Sequence, residues 1–252
     1  MLEFLDCTFR GRREPPGTKE PAWRLTVAPL GSIVGWSTNQ CRIVVRASNT
    51  EQRRAQIAEA LLSLMAKRGY EGASIVAIAK QARLAPGLVH YHFESKLEIL
   101  LEAVGLLADR HLAILDGALA AAEAPPAQVA AFVEVHLGLG AHADPVALAC
   151  WVLIGGEALR ERRVQAAYER AIAAISARLV AIIERGVADR SFARVEPAGC
   201  AAALVAAVQG YLVVVATARD VVPSGTAATC VLRMAEGLLR PDRPLVIARR
   251  RR

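Results

Sequence analysis

From Thr50 onward the apolar residues of this chain recur at helical spacing. Ile57, Leu61, Leu64 and Met65 stand at i, i+4, i+7 and i+8, the stripe of an amphipathic helix. Asn49 or Thr50 suits its N-cap, and Gly69 after Lys67-Arg68 suits its end. A second helix is expected from about Ile75 to Ala82, capped by Ser74. Pro86, at a position where a first helical turn accepts proline, opens a short third helix to about His92. Behind Ser95 a long fourth helix carries Leu97, Leu100, Leu101, Val104, Leu107, Leu112, Leu115 and Leu119 on one side and is expected to end at Pro125-Pro126. Further helices are expected over 127–140, 145–158, 161–188, 197–218 and 226–239. Abundant Ala and Leu with few Thr and Tyr support the same all-α reading.

Composition excludes several classes. With 54% hydrophobic residues the chain can bury enough apolar surface to offset its ordering entropy, so a mainly disordered protein is ruled out. The net charge of +7 hints at a nucleic-acid partner, but it is concentrated at the ends. Residues 1–50 carry +3 and Arg249 to Arg252 carry +4, whereas 111–248 carry −1, so DNA binding has to be argued from a motif. Cys7, Cys41, Cys150, Cys200 and Cys230 are odd in number and lie tens of residues apart. They form no metal-binding pair, and reduced cytoplasmic thiols are expected. No secretory leader is read at the N-terminus, and no cofactor or metal site is expected. The chain lacks H-E-x-x-H, G-x-S-x-G and G-x-x-x-x-G-K, and no enzyme reading gathers enough residues for a mechanism. His136 and His142, six residues apart across Gly138 and Gly140, do not share a helical face. The twenty-two uncharged residues between Glu196 and Arg219 are long enough for a membrane span. Pro197 at their start, Gln209-Gly210 at their centre and much Ala instead favour a helix buried in a core or oligomer interface.

The most specific signal is residues 74–96, SIVAIAKQARLAPGLVHYHFESK. Two short helices joined by a turn of three to four residues have the spacing of a helix-turn-helix. Ile78 and Ala79 fall on the inner face of the first, and Leu84 and Val89 fill the space between the two. The second is short and bears few long side chains, so its N-terminal end can enter a major groove.

Here the sequence resembles the DNA-binding domain of the TetR/AcrR family of bacterial transcriptional repressors. Gly87, His90, Tyr91, His92, Phe93, Ser95 and Lys96 match the pattern G-x-x-Y/H-Y/H-H/Y-F-x-S/T-K that closes that domain, and Gly69-Tyr70 and Ser74 fit as well. The match is strong over about 47–110. Trp151, the stretch Ala158 to Tyr168, Phe192 and the apolar helix near the end fit more loosely and lean toward the BetI-like C-terminal type. The resemblance implies a homodimer that binds a double-stranded DNA operator and releases it when a small-molecule effector occupies the C-terminal domain. Ser74, Tyr91, His92 and Lys96 would contact phosphate, with Ser74 also capping a helix whose N–H groups face the backbone. Ala85, Pro86, Gly87 and Leu88 would face the bases, Leu88 or Ala85 meeting a thymine methyl. Phe93 is expected in the core. Arg83 stands where many members have glycine, so a left-handed residue or a different turn is expected there.

The expected organisation is a disordered extension over 1–46, with a basic arm along DNA as the alternative. A helix-turn-helix domain follows over 47–96, a ligand-binding and dimerisation domain over 97–240 and a basic tail over 241–252. His136, Trp151, Glu157, Tyr168 and Gln209 are the candidate effector-pocket residues, and Ala201, Leu204, Val205, Val208, Leu212 and Val215 with Cys230, Met234 and Leu238 the candidate dimer face. The competing readings are a helical membrane-associated protein and a small-molecule-binding helical protein without DNA.

Overall fold

Helix-forming composition and well-placed caps produce a computed structural model that is helical throughout its described residues, 49–138 and 144–247. The expected N-terminal extension, His142, Gly140 and the last arginines lie outside them. The helices are α1 (Asn49–Arg68), α2 (Ile75–Ala82), α3 (Pro86–His92), α4 (Lys96–Ala120), α5 (Pro125–Leu137), α6 (Pro145–Ala158), α7 (Arg162–Ala188), α8 (Pro197–Thr217) and α9 (Thr226–Leu239), with a 3₁₀ turn at Arg219–Val221.

The caps expected at Ser74 and Ser95 form, whereas Asn49 and Thr50 already lie within α1. Ser74 Oγ accepts from the Ala77 N–H at 3.2 Å and Ser95 Oγ from the Glu98 N–H at 3.2 Å. Asp144, Glu161 and Glu196 cap α6, α7 and α8 in the same manner. Gly69 ends α1 with φ of 71°. Arg83 does adopt the left-handed conformation, at φ 56° and ψ 42°. Its N–H reaches Lys80 O, and the Leu84 N–H reaches Ala79 O at 2.9 Å, which closes α2 at a backbone cost of about 1 kcal/mol for a non-glycine residue.

Two expectations about helix ends are corrected. Pro125-Pro126 do not terminate α4, which stops at Ala120, but open α5, where a missing N–H costs nothing. α5 then closes at Leu137 with Gly138 as its C-cap, short of the expected 140.

Two apolar cores form. The first joins α1–α3 and the N-terminal half of α4 (Ile99, Leu100, Ala103, Val104) to Cys150, Ile154 and Ala158 of α6 and Val164 of α7. In the second, Leu115 of α4 packs with Phe132 of α5, Ile175, Leu179, Ile182 and Ile183 of α7, and residues of α8 and α9. α8 is apolar all round, yet only 22% of its most apolar stretch is buried within the chain. The large residues Leu204 and Val208 turn inward at 1% exposure each, with Ala201 and Val205 beside them. The expected dimer face is therefore corrected: these residues belong to the chain's own core. The outward side of α8 consists of Ala202, Ala203, Ala206, Gly210 and Val213, and α9 exposes Met234 and Leu238.

Candidate nucleic-acid interface

α2 and α3 are too short to hold their shape alone, so their orientation comes from what they bury. Ile78, Ala79 and Ala82 of α2 and Val89 of α3 are in the core with Phe93, which follows α3 and is 2% exposed. The opposite side of α3 is open. Ala85, Pro86, Gly87, Leu88, His90 and Tyr91 are all exposed, Tyr91 at 80%. His92 is half-buried and meets the Tyr91 ring edge-on at 5.1 Å between centroids. No atom lies within 4 Å of where a Gly87 side chain would start, so the helix presents bare backbone there.

The structure thus gathers Ser74, Ala85, Pro86, Gly87, Leu88 and Tyr91 on the solvent side of a helix-turn-helix. Lys96 is placed differently from expectation. Its ammonium donates to the Tyr70 carbonyl at 3.2 Å, sits 4.1 Å over the Tyr70 ring and lies 3.7 Å from Glu71. Lys96 therefore ties the start of α4 to the turn after α1, and any phosphate it met would share it with these partners.

Two residues that carry the site have no local sequence signal. Gln56 Nε2 donates to Ala82 O at 2.8 Å, satisfying the last carbonyl of α2. Arg54 Nη1 donates to His92 O at 2.7 Å, satisfying the last carbonyl of α3. Both come from α1, so this helix holds the C-terminal ends of both helix-turn-helix elements.

The five expected effector residues are not brought to one place. Trp151 stacks on Tyr168, with 4.8 Å between ring centroids, and Tyr168 packs on the first core. Glu157 lies near Tyr70, whose phenol is pushed up to about 12 by burial and then by the negative charge of Glu157. Gln209 is half-buried on α8. An open cleft lined by Arg54, Glu98, Leu101, Glu102, Asp109 and Arg163 includes none of the five.

His136 instead meets His111 of α4, Nε2 to Nε2 at 2.9 Å. Its Nδ1 lies 2.7 Å from Phe132 O. A carbonyl only accepts, so Nδ1–H donates, Nε2 of the neutral ring accepts, and His111 Nε2–H is the donor between the rings. Burial, followed by the neighbouring His111, lowers the His136 pKa from 6.5 to about 3, and burial lowers that of His111. In the unfolded chain both rings take up protons below their ordinary pKa while the folded pair resists. Stability is then complete above about pH 6.5 and is lost as the pH falls. Going from pH 7 to pH 5 should cost about 2 kcal/mol through His136 alone. Urea unfolding of the wild type and of His136→Phe at both pH values checks this, and an equal acid loss in the variant would refute it.

The comparisons with known proteins fit this geometry. Residues 57–103, from the middle of α1 to the second turn of α4, match the family model described as bacterial regulatory proteins, tetR family. This stretch is similar to the N-terminal domain of tetR-family regulators. The chain is 42% identical over 60 residues to the HTH-type transcriptional regulator PksA of Bacillus subtilis, covering 24% of this chain and 29% of that one. It is 30% identical over 120 residues to the HTH-type transcriptional regulator BetI of Paraburkholderia phymatum, covering 46% of this chain and 60% of that one. The matched region spans less than two thirds of either relative. A transcriptional regulator from Saccharomonospora viridis, solved in complex with choline, superposes with a TM-score of 0.60 over 74% of this chain and 94% of that one, at 24% identity. At that identity the likeness carries the fold alone, an all-α architecture of helix-turn-helix domain and helical body.

Proposed function

We propose that this chain is a cytoplasmic transcriptional repressor of the TetR type that binds a palindromic operator as a homodimer and leaves it when a small-molecule effector binds the helical body. The observation that carries the reading is the exposed outer side of α3, from Ala85 to Leu88 and on to Tyr91, above a buried inner side of Val89 and Phe93. A short helix so held can lay its N-terminal residues on base edges. Ser74 offers its helix N-terminus, and Tyr91 and His92 their polar tips, to phosphate. Lys96 adds its charge at the same edge. Few base-reading donors stand on α3, so methyl contacts from Ala85 and Leu88 and the shape of the duplex would supply more of the specificity.

A dimer is needed because half-sites about 34–36 Å apart lie beyond one copy of the motif. The uncovered face of α8 with Met234 and Leu238 of α9 supports a second copy as its occupant, in place of a membrane. The effector reading rests on the family and on the choline-bound relative, and its chemistry stays at the level of a small molecule.

Selection from a random-sequence DNA pool by the full chain tests this reading. The enriched sequences should contain two inverted half-sites about 10 base pairs apart, centre to centre. Tyr91→Ala should lower affinity for them about tenfold, and Leu88→Ala should shift the preferred bases. A pool that enriches no common sequence would overturn the DNA reading.

A further inference from the structure

Arg54 makes more of its guanidinium than a surface arginine does. Nη1 donates to His92 O at 2.7 Å, while Nε and Nη2 both donate to Glu102 Oε2, at 3.0 and 2.6 Å. The plane of the group also lies 4.1 Å over the Phe93 ring. One side chain of α1 therefore joins the last carbonyl of α3, the first residue beyond α3 and the second turn of α4. Its side chain and that of Glu102 are each 34% exposed, so the ion pair is half-shielded from solvent.

A helix of seven residues has too few internal hydrogen bonds to fix its own direction. Val89 and Phe93 set how deep α3 sits, but apolar contacts leave rotation about them soft. The fork of Arg54 supplies the directional contact at the C-terminal end, because a planar guanidinium holds its partners at fixed angles. Its other partner, Glu102, belongs to α4, whose N-terminal half is in the first core and whose Leu115 is in the second. Glu102 thus holds the guanidinium from a helix anchored in both cores, so that Nη1 meets the carbonyl of His92 in a fixed direction.

Resting on the DNA-binding reading above, we propose that Arg54 is a positioning residue: held in orientation by Glu102, it sets the tilt of α3. It touches neither base nor phosphate in this role.

The test uses the full chain and the DNA that the wild type selects from a random pool. Arg54→Lys keeps the charge but loses the fork, and should reduce the preference for selected over random DNA about tenfold. The slope of log affinity against log salt should stay unchanged, since no phosphate contact is lost. Amide exchange at Val89 to Phe93 should quicken, while thermal unfolding stays cooperative. Glu102→Gln should move both readouts in the same direction by less. Arg54→Gln combined with Glu102→Gln should cost less than the two singles added. Wild-type preference and exchange in Arg54→Lys and Glu102→Gln would overturn the proposal. So would a uniform affinity loss with the salt slope reduced by about one, which would make Arg54 a phosphate contact. A wild type that selects no sequence would refute the DNA reading instead, and the amide exchange would still decide whether Arg54 steadies α3.

Discussion

Ala206→Glu is expected to give a monomer that keeps its helical circular dichroism and loses more than about a hundredfold in affinity for selected DNA, as avidity between two linked half-sites is lost. Ala206 is exposed on the outward side of α8, between Ala203 and Gly210, so a carboxylate there meets water in the isolated chain and disturbs nothing. Facing the same surface of a second copy, two such carboxylates would be buried without partners, and association would fail. The comparison variant is Val208→Glu. Val208 is 1% exposed in the chain's own core, so this substitution should unfold the body before any question of assembly arises. Sedimentation separates the cases. An intact dimer for Ala206→Glu would place the interface elsewhere and return the outward side of α8 to other occupants, a membrane among them.

Gly186→Ala should destabilise the fold by about 2–3 kcal/mol, as overpacking of a filled core does. A methyl at this position of α7 would collide with Phe192 Cδ2 and come within 2.9 Å of its Cγ. The Phe192 ring cannot swing away, being 4% exposed in the second core, and its own N–H donates to Gly186 O at 2.8 Å. The strain would reach α9, because Ala193 N–H donates to Leu239 O and Asp242 N–H to Ser191 O. A melting temperature several degrees lower is expected for a chain of this size. Unchanged thermal unfolding would show that the ring has room the structure does not display.

Much of this was legible beforehand, for identifiable reasons. α2, α6 and α9 have the bounds expected from the sequence, and for α2 the hydroxyl of Ser74 marks the start. The end of α4 was not legible. Its last turns run through alanines that could continue as helix, and the pair of prolines beyond them reads equally as a stop or a start. The open side of α3 follows from a local pattern of seven residues. Arg54 does not, since its partners His92 and Glu102 lie 38 and 48 residues away. The meeting of His111 with His136 across two helices was hidden for the same reason. On α8 the inward side could not be read from polarity, there being almost none. Size is only a partial signal: Leu204, Val205 and Val208 turn in and Ala202, Ala203, Ala206 and Gly210 turn out, but Ala201 turns in and Val213 out.

Because α4 lends side chains to both cores, the helix-turn-helix and the body have no seam at which one could melt and leave the other intact. They are expected to open as a single cooperative unit, in which free energy supplied to one is registered in the other. A molecule bound to the folded body at a hundred times its dissociation constant adds about 2.7 kcal/mol to the resistance of the whole unit to opening. Occupancy of the body would thus appear as slower amide exchange in α1 and α2, far from the bound molecule, whether or not the DNA-reading surface changes shape.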